Sequence, residues 1–288
     1  MALSSSSNLN TGLINYNGAL LPASQPLLTA DNRGFRYGDG LFETMLVQKD
    51  RIRLRNYHFQ RLFSGMRLLR FELPPFFTPE TLEQQILELS TANGHTGLSR
   101  ARLVVFRGDG GLFDPADPEP RYIIQATPLA TGSHGWNEEG LVIDIFPDGR
   151  KSRDPFSCLK SNNYLLYSQA AFYARDRQLN DCLVLNDQGR LADSTIANLF
   201  YIKDNKFYTP PLSEGGVAGT MRRYLLEHLP LAGFTISEQQ ANPEDLENAD
   251  EVFLTNALKG INWVRSFRHH TYTNQLSSAI YRLLIEKL

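Results

Sequence analysis

Apolar and polar positions alternate along the chain with two different periods. In residues 58–70 the apolar side chains recur at helical spacing, which predicts an amphipathic helix. Residues 78–92 begin with Thr-Pro-Glu, a capping residue followed by proline at the first helical position, and predict a second helix. Residues 101–106 and 122–126 are dense in Val, Ile and Leu, which is typical of buried strands.

The same patterns continue to the end of the chain, and a hairpin is predicted around Lys49 and Asp50. The remaining predicted strands are 12–18, 41–47, 51–54, 141–146, 182–186, 198–203, 206–208, 235–238 and 251–255, and the remaining predicted helices are 163–178, 220–229 and 275–288. Strands and helices are mixed in both halves without a regular βαβ rhythm, which favours an α+β fold. Residues 127–136 are rich in Gly, Ser, Thr and Pro and are predicted to be a linker.

Composition excludes several classes of protein. The chain has 288 residues, and 29 Lys and Arg against 31 Asp and Glu give a formal net charge of −2. This balance predicts no global attraction to nucleic acid or to an anionic membrane surface. Since there is no apolar run of about 18 residues, we expect no membrane span. The first residues lack the basic and apolar regions of a secretory signal, so a cytoplasmic protein is expected.

Neither a disulfide framework nor a metal site is predicted. The two cysteines, Cys158 and Cys182, do not form a CxxC pair, and the six histidines are scattered without zinc-ligand spacing.

Two ionisable residues are candidates for chemistry. Lys160 has apolar and small neighbours, and a partly buried lysine has a lowered pKa that makes its amine a nucleophile towards aldehydes. Most lysines are instead solvated surface charges. Asp193 lies between small residues just before a predicted strand, where it is either a functional acid or an ordinary turn residue.

Other segments could bind an anion. Gly219, Thr220 and Met221 begin a predicted helix, whose first amides and dipole favour a negative charge. Thr255 and Asn256 end a predicted strand with side chains that either bind a phosphate oxygen or cap a turn. Arg61, on a predicted helix, could hold phosphate in two hydrogen bonds or lie on the surface.

Four more residues are candidates for a substrate pocket. Tyr37 and Phe42 flank a glycine-rich loop and could be pocket walls or core aromatics. Arg102 and Arg107 are separated by an odd number of positions, so a regular strand points them to opposite faces. Only one of the two is then expected in a given pocket, unless the turn after the strand redirects Arg107.

Six ordered blocks together resemble the fold-type IV pyridoxal-phosphate enzymes. This family contains branched-chain aminotransferases, D-amino-acid aminotransferases and 4-amino-4-deoxychorismate lyases. The blocks are RGFRYGDGLFETM, HFQRL, LKSNNY, LADSTIANLF, GTMR and DEVFLTNAL. The resemblance extends from about residue 15 to residue 264, nearly the whole chain.

The resemblance implies roles in binding pyridoxal 5′-phosphate. Lys160 matches the lysine that forms the Schiff base with the cofactor and moves the substrate proton. Tyr164 matches the tyrosine that hydrogen-bonds the ring hydroxyl. Asp193 matches the acid that pairs with the pyridine nitrogen, a position usually occupied by Glu, and Asn198 belongs to the same cofactor-binding block. The shorter Asp puts the strength of the electron sink in question.

The remaining matches concern the phosphate and the substrate. The implied phosphate ligands are Arg61, Gly219, Thr220, Met221, Thr255 and Asn256. The substrate-pocket positions are Tyr37, Phe42, Arg102 and Arg107. Leu112 stands where the D-amino-acid enzymes and many lyases have an arginine, which disfavours a D-amino-acid preference and counts mildly against a standard lyase. The GVAGTMR and TNAL blocks look more like those of the lyases.

The family architecture implies an α+β, fold-type IV enzyme with two α/β domains and the cofactor in the cleft between them. We expect a small domain over 1–126, the linker over 127–136 and a larger cofactor-binding domain over 137–288, in a homodimer. The first hypothesis for function is transfer of an amino group from an amino acid to a 2-oxo acid. The alternatives are a 4-amino-4-deoxychorismate lyase that releases pyruvate and 4-aminobenzoate, and a degenerate, non-catalytic protein that binds the cofactor.

Overall fold

Two compact units make up the chain in its computed structural model, which describes residues 12–113, 117–130, 132 and 135–288. The first unit contains the described residues up to 130 together with Ser161–Asn163, and the second contains 132, 135–160 and Tyr164–Leu288. The predicted linker, 127–136, begins inside a strand that runs to Pro128. The predicted boundaries also omit the three residues after Lys160, which belong to the first unit because Ser161 bridges Leu41.

The described part of the first unit contains one antiparallel sheet and three helices. Its strands are β1 (Leu13–Tyr16), β2 (Ala19–Pro22), β3 (Gly40–Gln48), β4 (Arg51–Ile52), β5 (Leu98–Arg107) and β6 (Pro120–Pro128), and its helices are α1 (Arg33–Tyr37), α2 (Arg55–Leu68) and α3 (Pro79–Ala92). The strands lie in the order β2-β1-β6-β5-β3-β4. Helix α2 packs on β3, and α3 packs on β1 and β6.

Local sequence explains these elements. Lys49 and Asp50 form the turn of the β3–β4 hairpin and both have positive φ, 48° and 58°, as a two-residue hairpin with the right-handed twist requires. Thr78 caps α3 by accepting a hydrogen bond from the Thr81 amide. Phe59, buried with other apolar residues at helical spacing, places one face of α2 in the core. The predicted hairpin and both predicted helices of this unit are confirmed.

The described part of the second unit contains a mixed sheet and four helices. Its strands are β7 (Leu141–Lys151), β8 (Asp181–Asn186), β9 (Leu191–Ser194), β10 (Asn198–Lys203), β11 (Lys206–Thr209), β12 (Ile236–Glu238), β13 (Glu251–Asn256), β14 (Gly260–Phe267) and β15 (His270–Thr271). Its helices are α4 (Leu165–Asp176), α5 (Thr220–Leu231), α6 (Pro243–Glu247) and α7 (Gln275–Ile280).

The sheet of the second unit has the order β12-β11-β10-β13-β14-β7-β8-β9, with β15 beside β14. The pairs β11–β12, β14–β7 and β7–β8 are parallel, and the other pairs are antiparallel. Helix α4 packs on β7 and β8, and α5 packs on β13. Helices and strands of both units confirm the α+β class.

The sequence patterns miss two strands that matter for this sheet. Strand β9 is only four residues long and contains Asp193 and Ser194, so it lacks an apolar run. Strand β14 is interrupted by polar residues and has a register shift between Val264 and Ser266. Both are buried by tertiary packing that a local pattern cannot reveal.

The predicted closing helix, 275–288, is wrong in its second half. The α-helix ends at Ile280, and Tyr281–Ile285 form a π-helical turn. The hydroxyl of Tyr224 donates a hydrogen bond to the Leu284 carbonyl oxygen at 3.1 Å, so a tertiary contact accompanies the wider turn.

Candidate functional site

Lys160 lies at the start of the segment that leads into α4. The residue is half-buried, and its Nζ is 5.7 Å from the centroid of the Tyr164 ring. Tyr164 caps the N-terminus of α4, and its hydroxyl donates to the Thr195 carbonyl oxygen at 2.8 Å. Because Thr195 follows β9 directly, this hydrogen bond ties the start of α4 to the end of the strand that carries Asp193.

The Asp193 carboxylate is buried and fully engaged within the second unit. The Tyr167 hydroxyl lies 2.7 Å from Oδ2 and 3.0 Å from Oδ1, and the Val217 amide donates to Oδ2 at 2.9 Å. Burial raises the pKa of this carboxyl, while the positive charge of Lys151 acts in the opposite direction. An exposed turn residue would have no such partners, so the ordinary-turn interpretation of Asp193 is wrong.

Lys151 and Tyr167 are members of this cluster that the sequence interpretation missed. The Lys151 Nζ donates to the Tyr167 hydroxyl at 2.7 Å and to the Ser157 carbonyl oxygen at 3.0 Å. Burial lowers the pKa of Lys151 and raises the pKa of Tyr167 well above its usual range. One signal was present in the sequence: Tyr164 and Tyr167 are three residues apart at the start of a helix, a spacing that places two side chains on one face.

A second buried carboxylate fixes the turn after β9. Asp181 accepts hydrogen bonds from the Ser194 hydroxyl at 2.8 Å and from the Thr195 hydroxyl at 2.6 Å. The Thr195 amide also donates to it, at 3.2 Å. Burial raises the pKa of Asp181. These bonds hold the Thr195 carbonyl in the position where it accepts the Tyr164 hydrogen bond.

The glycine-rich loop before α5 is held by close backbone contacts. A Cβ on Gly216 would lie 2.8 Å from the Ala192 carbonyl oxygen, and a Cβ on Gly219 would overlap Asn198 Oδ1. The Asn198 side-chain amide donates to the Val217 carbonyl oxygen at 2.7 Å. Since the Val217 amide bonds Asp193, the same loop connects the carboxylate to the N-terminus of α5.

The predicted anion-binding residues of the second unit lie close to one another. Thr220 and Met221 are buried in the first turn of the twelve-residue helix α5, whose first amides have no acceptor within the helix. Thr255 faces Asn198 across the β10–β13 ladder. Its Oγ1 is buried and has no hydrogen-bond partner among the described residues. A buried donor of this kind beside a helix N-terminus suits a phosphate oxygen.

Asn256 has a different role from Thr255. Its side-chain oxygen accepts hydrogen bonds from the Leu258 amide at 3.1 Å and the Lys259 amide at 2.9 Å. The side chain therefore closes the β13–β14 turn, the alternative that the sequence left open.

In the first unit, Arg61 is paired with a buried carboxylate. Its guanidinium donates to Glu43 at 2.7 and 2.5 Å, and His58 Nδ1 lies 2.6 Å from the same carboxylate. Burial raises the pKa of Glu43, but the charges and hydrogen bonds of Arg61 and His58 outweigh it and lower the pKa to about 2. The pair fixes the direction of the Arg61 side chain, so Arg61 is not an ordinary solvated arginine.

Two of the predicted substrate-pocket residues lie together in the first unit. The Arg102 guanidinium is 4.1 Å from the centroid of the Phe42 ring. The two residues are diagonal neighbours across β3 and β5, because Phe42 pairs with Val104. Tyr37, at the end of α1, has the Arg33 and Arg36 guanidinium groups each 5.3 Å from its ring centroid.

Arg107 lies apart from Arg102, as the odd spacing predicted. Its guanidinium donates to Asp39 at 2.7 Å and to the Leu69 carbonyl oxygen. Arg33 pairs with the other oxygen of Asp39 at 3.0 Å. Asp39 therefore holds two buried arginines and couples α1 to the end of β5.

Comparison with known proteins defines the class of protein. A model of the family described as amino-transferase class IV matches residues 40–267. The chain is 28% identical over 232 residues to the aminodeoxychorismate lyase of Vibrio harveyi, which covers 80% of this chain and 83% of that protein. It is 24% identical over 261 residues to the branched-chain-amino-acid aminotransferase of Escherichia coli strain K12, which covers 87% of this chain and 83% of that one.

A solved structure shows the same fold. The branched-chain amino acid aminotransferase of T.th. with pyridoxamine 5′-phosphate matches with a TM-score of 0.83 at 21% identity, over 97% of this chain and 94% of that one. The chain belongs to the class IV aminotransferase family, whose members are enzymes that use pyridoxal 5′-phosphate. The resemblance predicted from the six sequence blocks is confirmed. Among the described residues, no helix has the length and apolarity to cross a membrane.

Proposed function

We propose that this protein is a pyridoxal-phosphate-dependent aminotransferase that moves an amino group from an amino acid to a 2-oxo acid, with Lys160 as the catalytic residue. The observation that carries the proposal is the buried carboxylate of Asp193, held by Tyr167 and the Val217 amide in the same unit as Lys160. A buried carboxylate beside a lysine fits a cofactor that has both an aldehyde and a basic ring nitrogen.

When bound, pyridoxal 5′-phosphate supplies an aldehyde carbon for the amino group and a ring that withdraws electrons from the substrate Cα. Lys160 Nζ binds at that aldehyde carbon and, once substrate displaces it, takes the proton from the substrate Cα and returns it. Asp193 holds a proton at the ring nitrogen. Tyr164, whose hydroxyl donates to the Thr195 carbonyl, orients the edge of the ring that carries the hydroxyl.

The phosphate has ligands of suitable chemistry in the second unit. The first amides of α5, at Thr220 and Met221, are directed along the helix axis and favour an anion. Thr255 Oγ1 supplies the hydroxyl that otherwise has no partner among the described residues. In the first unit, Arg61 remains a predicted phosphate ligand, and Tyr37, Phe42, Arg102 and Arg107 remain predicted substrate-pocket residues.

Half-reactions test the proposal. Purified protein loaded with pyridoxal 5′-phosphate is mixed with single amino acids, and the visible absorbance of the bound cofactor is followed without any acceptor. Amino transfer predicts loss of that band with one equivalent of 2-oxo acid formed, and its return when a 2-oxo acid is added. An amino-donor panel that leaves the band unchanged contradicts amino transfer.

A second candidate function is cleavage of 4-amino-4-deoxychorismate to pyruvate and 4-aminobenzoate. The observation that favours it is the 28% identity to the lyase of Vibrio harveyi, against 24% to the Escherichia coli aminotransferase. The two functions use the same lysine and acid and differ in whether the substrate loses its amino group or its side chain. Release of pyruvate from that substrate without an amino acceptor supports the lyase, and turnover of an amino acid with 2-oxoglutarate alone excludes it.

A further inference from the structure

Two side chains outside the predicted site control the surroundings of Asp193. Tyr167, in the first turn of α4, contacts both carboxylate oxygens, and Lys151, the last residue of β7, contacts the Tyr167 hydroxyl. All three are in the second unit, and the side chains of Tyr167 and Asp193 are buried. A charged carboxylate in such a place requires a compensating charge or a set of hydrogen bonds.

The proton positions in this chain follow from the chemistry of the three groups. A lysine ammonium can only donate, so it donates to the Tyr167 oxygen at 2.7 Å. The single hydroxyl hydrogen of Tyr167 is then left for Asp193, to which it is directed at the shorter distance, 2.7 Å from Oδ2. The Val217 amide also donates to Oδ2. Oδ2 therefore receives two good hydrogen bonds, and Oδ1 keeps most of its capacity to accept another.

We propose that Tyr167 and Lys151 are positioning residues that fix the Asp193 carboxylate in its ionised form and leave Oδ1 for the ring nitrogen of the cofactor. The inference rests on the proposed function, since it assigns the support of the acid that the function requires. It also explains how an aspartate serves where relatives of this family usually have the longer glutamate. Tyr167 and the Val217 loop clamp the short side chain, so its position does not depend on its length.

The charges around this chain set the direction of the effect. Lys151 and Lys160 both lower the pKa of Asp193, against the opposing effect of burial. Lys151 in turn feels the negative charges of Cys158 and Asp154 in addition to that of Asp193. Tyr164 is the other ionisable group that acts on Tyr167. Removal of the Lys151 charge should therefore raise the pKa of Asp193.

The test measures the dissociation constant of pyridoxal 5′-phosphate against pH for the full chain. Affinity falls at acidic pH when Asp193 becomes protonated and no longer pairs with the protonated ring nitrogen. In Lys151→Met and Tyr167→Phe, this acid limb should move to higher pH by about one unit. Lys151→Arg keeps the charge and should keep the limb near its wild-type position. Ionisation of the cofactor itself is common to all variants and cancels in the comparison.

Matched controls separate positioning from general damage. Tyr173→Phe removes a second tyrosine hydroxyl from α4, and Lys206→Met removes an exposed lysine charge from the same unit. Both should leave the acid limb in place. If Lys151→Met fails to fold, the isosteric Tyr167→Phe decides the matter, since it retains the ring that packs at the start of α4.

The outcomes of this experiment are distinguishable. Wild-type protein that binds no pyridoxal 5′-phosphate overturns the proposed function. Wild-type protein that binds it, together with Tyr167→Phe and Lys151→Met variants whose acid limbs coincide with that of the wild type, overturns only the positioning role. A shift in Lys151→Met that Lys151→Arg does not reverse contradicts the role assigned to the charge.

Discussion

At the scale of single residues, the chemistry of the site depends on a carboxylate one methylene shorter than expected. Asp193 reaches two firm hydrogen bonds at Oδ2 because Tyr167 and the loop amide of Val217 come to it. The resemblance to the family identified Asp193 by position. The sequence could not show its partners, since Lys151 and Val217 are 42 and 24 positions away in the chain and meet it only through folding.

The first prediction concerns the charge of Asp193. Asp193→Asn should weaken binding of pyridoxal 5′-phosphate at least about tenfold, because a hydrogen bond to a charged group contributes about 1.5–3 kcal/mol. Asp193→Glu keeps the charge and should bind more tightly than Asp193→Asn. Titration of the unloaded protein with the cofactor measures both constants. Equal affinity of Asp193→Asn and wild type would rule out contact between this carboxylate and the ring nitrogen.

The second prediction concerns the buried Glu43 and its pH dependence. Because its pKa is lowered from 4.5 to about 2, its ionised form stabilises the fold above pH 4.5, and this contribution disappears as the pH falls towards 2. Glu43→Gln should lower the free energy of unfolding at pH 7 by about 3 kcal/mol, and the difference from wild type should narrow as the pH falls below 4.5.

Urea denaturation at a series of pH values measures this difference. Glu139→Gln, at an exposed position, is the control and should match wild type throughout. A gap between Glu43→Gln and wild type that stays constant down to the acid transition would show that ionisation of Glu43 does not stabilise the fold.

At the scale of elements, the start of α5 and the end of β13 form the anion-binding part of the second unit. Asn198 links them, because it pairs with Thr255 in the ladder and its side chain holds the Val217 carbonyl. The sequence predicted α5 and β13 and their candidate residues. It could not predict that Asn256 closes a turn while the Thr255 hydroxyl lacks a partner among the described residues, since that difference arises from side-chain packing.

The third prediction compares two buried threonines. Thr255→Val removes a hydroxyl with no partner among the described residues, so the stability of the cofactor-free protein should be unchanged or slightly higher. Cofactor binding should weaken by about tenfold through the lost bond to phosphate. Thr209→Val removes a hydroxyl that donates to the Leu199 carbonyl oxygen at 2.7 Å and should cost about 1 kcal/mol of stability.

Thermal unfolding without cofactor and titration with cofactor separate the two threonines. Thr209→Val should bind the cofactor as wild type does. Loss of stability in cofactor-free Thr255→Val would mean that its hydroxyl stabilises the fold, which contradicts a role reserved for phosphate.

The fourth prediction concerns the loop before α5. Gly219→Ala places a Cβ on Asn198 Oδ1, so the loop or the asparagine must shift at a cost of about 1–3 kcal/mol. The same shift moves the first amides of α5 and should weaken phosphate binding. Gly97→Ala adds a methyl group at an exposed position with no atom within 4 Å and serves as the control. Denaturation midpoints of the two variants that agree would show that the loop has room to spare.

At the scale of the whole molecule, the sequence predicted the α+β class, most of the longer elements and the family. These features depend on local period and on motif order, both of which are visible in one dimension. It missed β9, β14 and the π-helical turn, where burial from both sides or a tertiary hydrogen bond decides the structure. It also missed Lys151 and Tyr167, whose role depends on a contact between strand and helix.

The central claim is that Lys160, rather than its neighbour in the cluster, carries the cofactor. The second unit places two lysines near Asp193: Lys160 half-buried beside Tyr164, and Lys151 engaged by the Tyr167 hydroxyl and the Ser157 carbonyl. Their local surroundings therefore assign them different tasks, and a chemical label can tell them apart.

Borohydride reduction of the protein loaded with pyridoxal 5′-phosphate, followed by peptide mass spectrometry, tests this claim most directly. The reduction makes the bond between lysine and cofactor permanent, so the modified residue can be read from the peptide mass. We expect a single phosphopyridoxyl group per chain, located on Lys160, and no visible absorbance band in Lys160→Ala. A label on Lys151 or on any other lysine, or a Lys160→Ala variant that keeps the band, would contradict the claim.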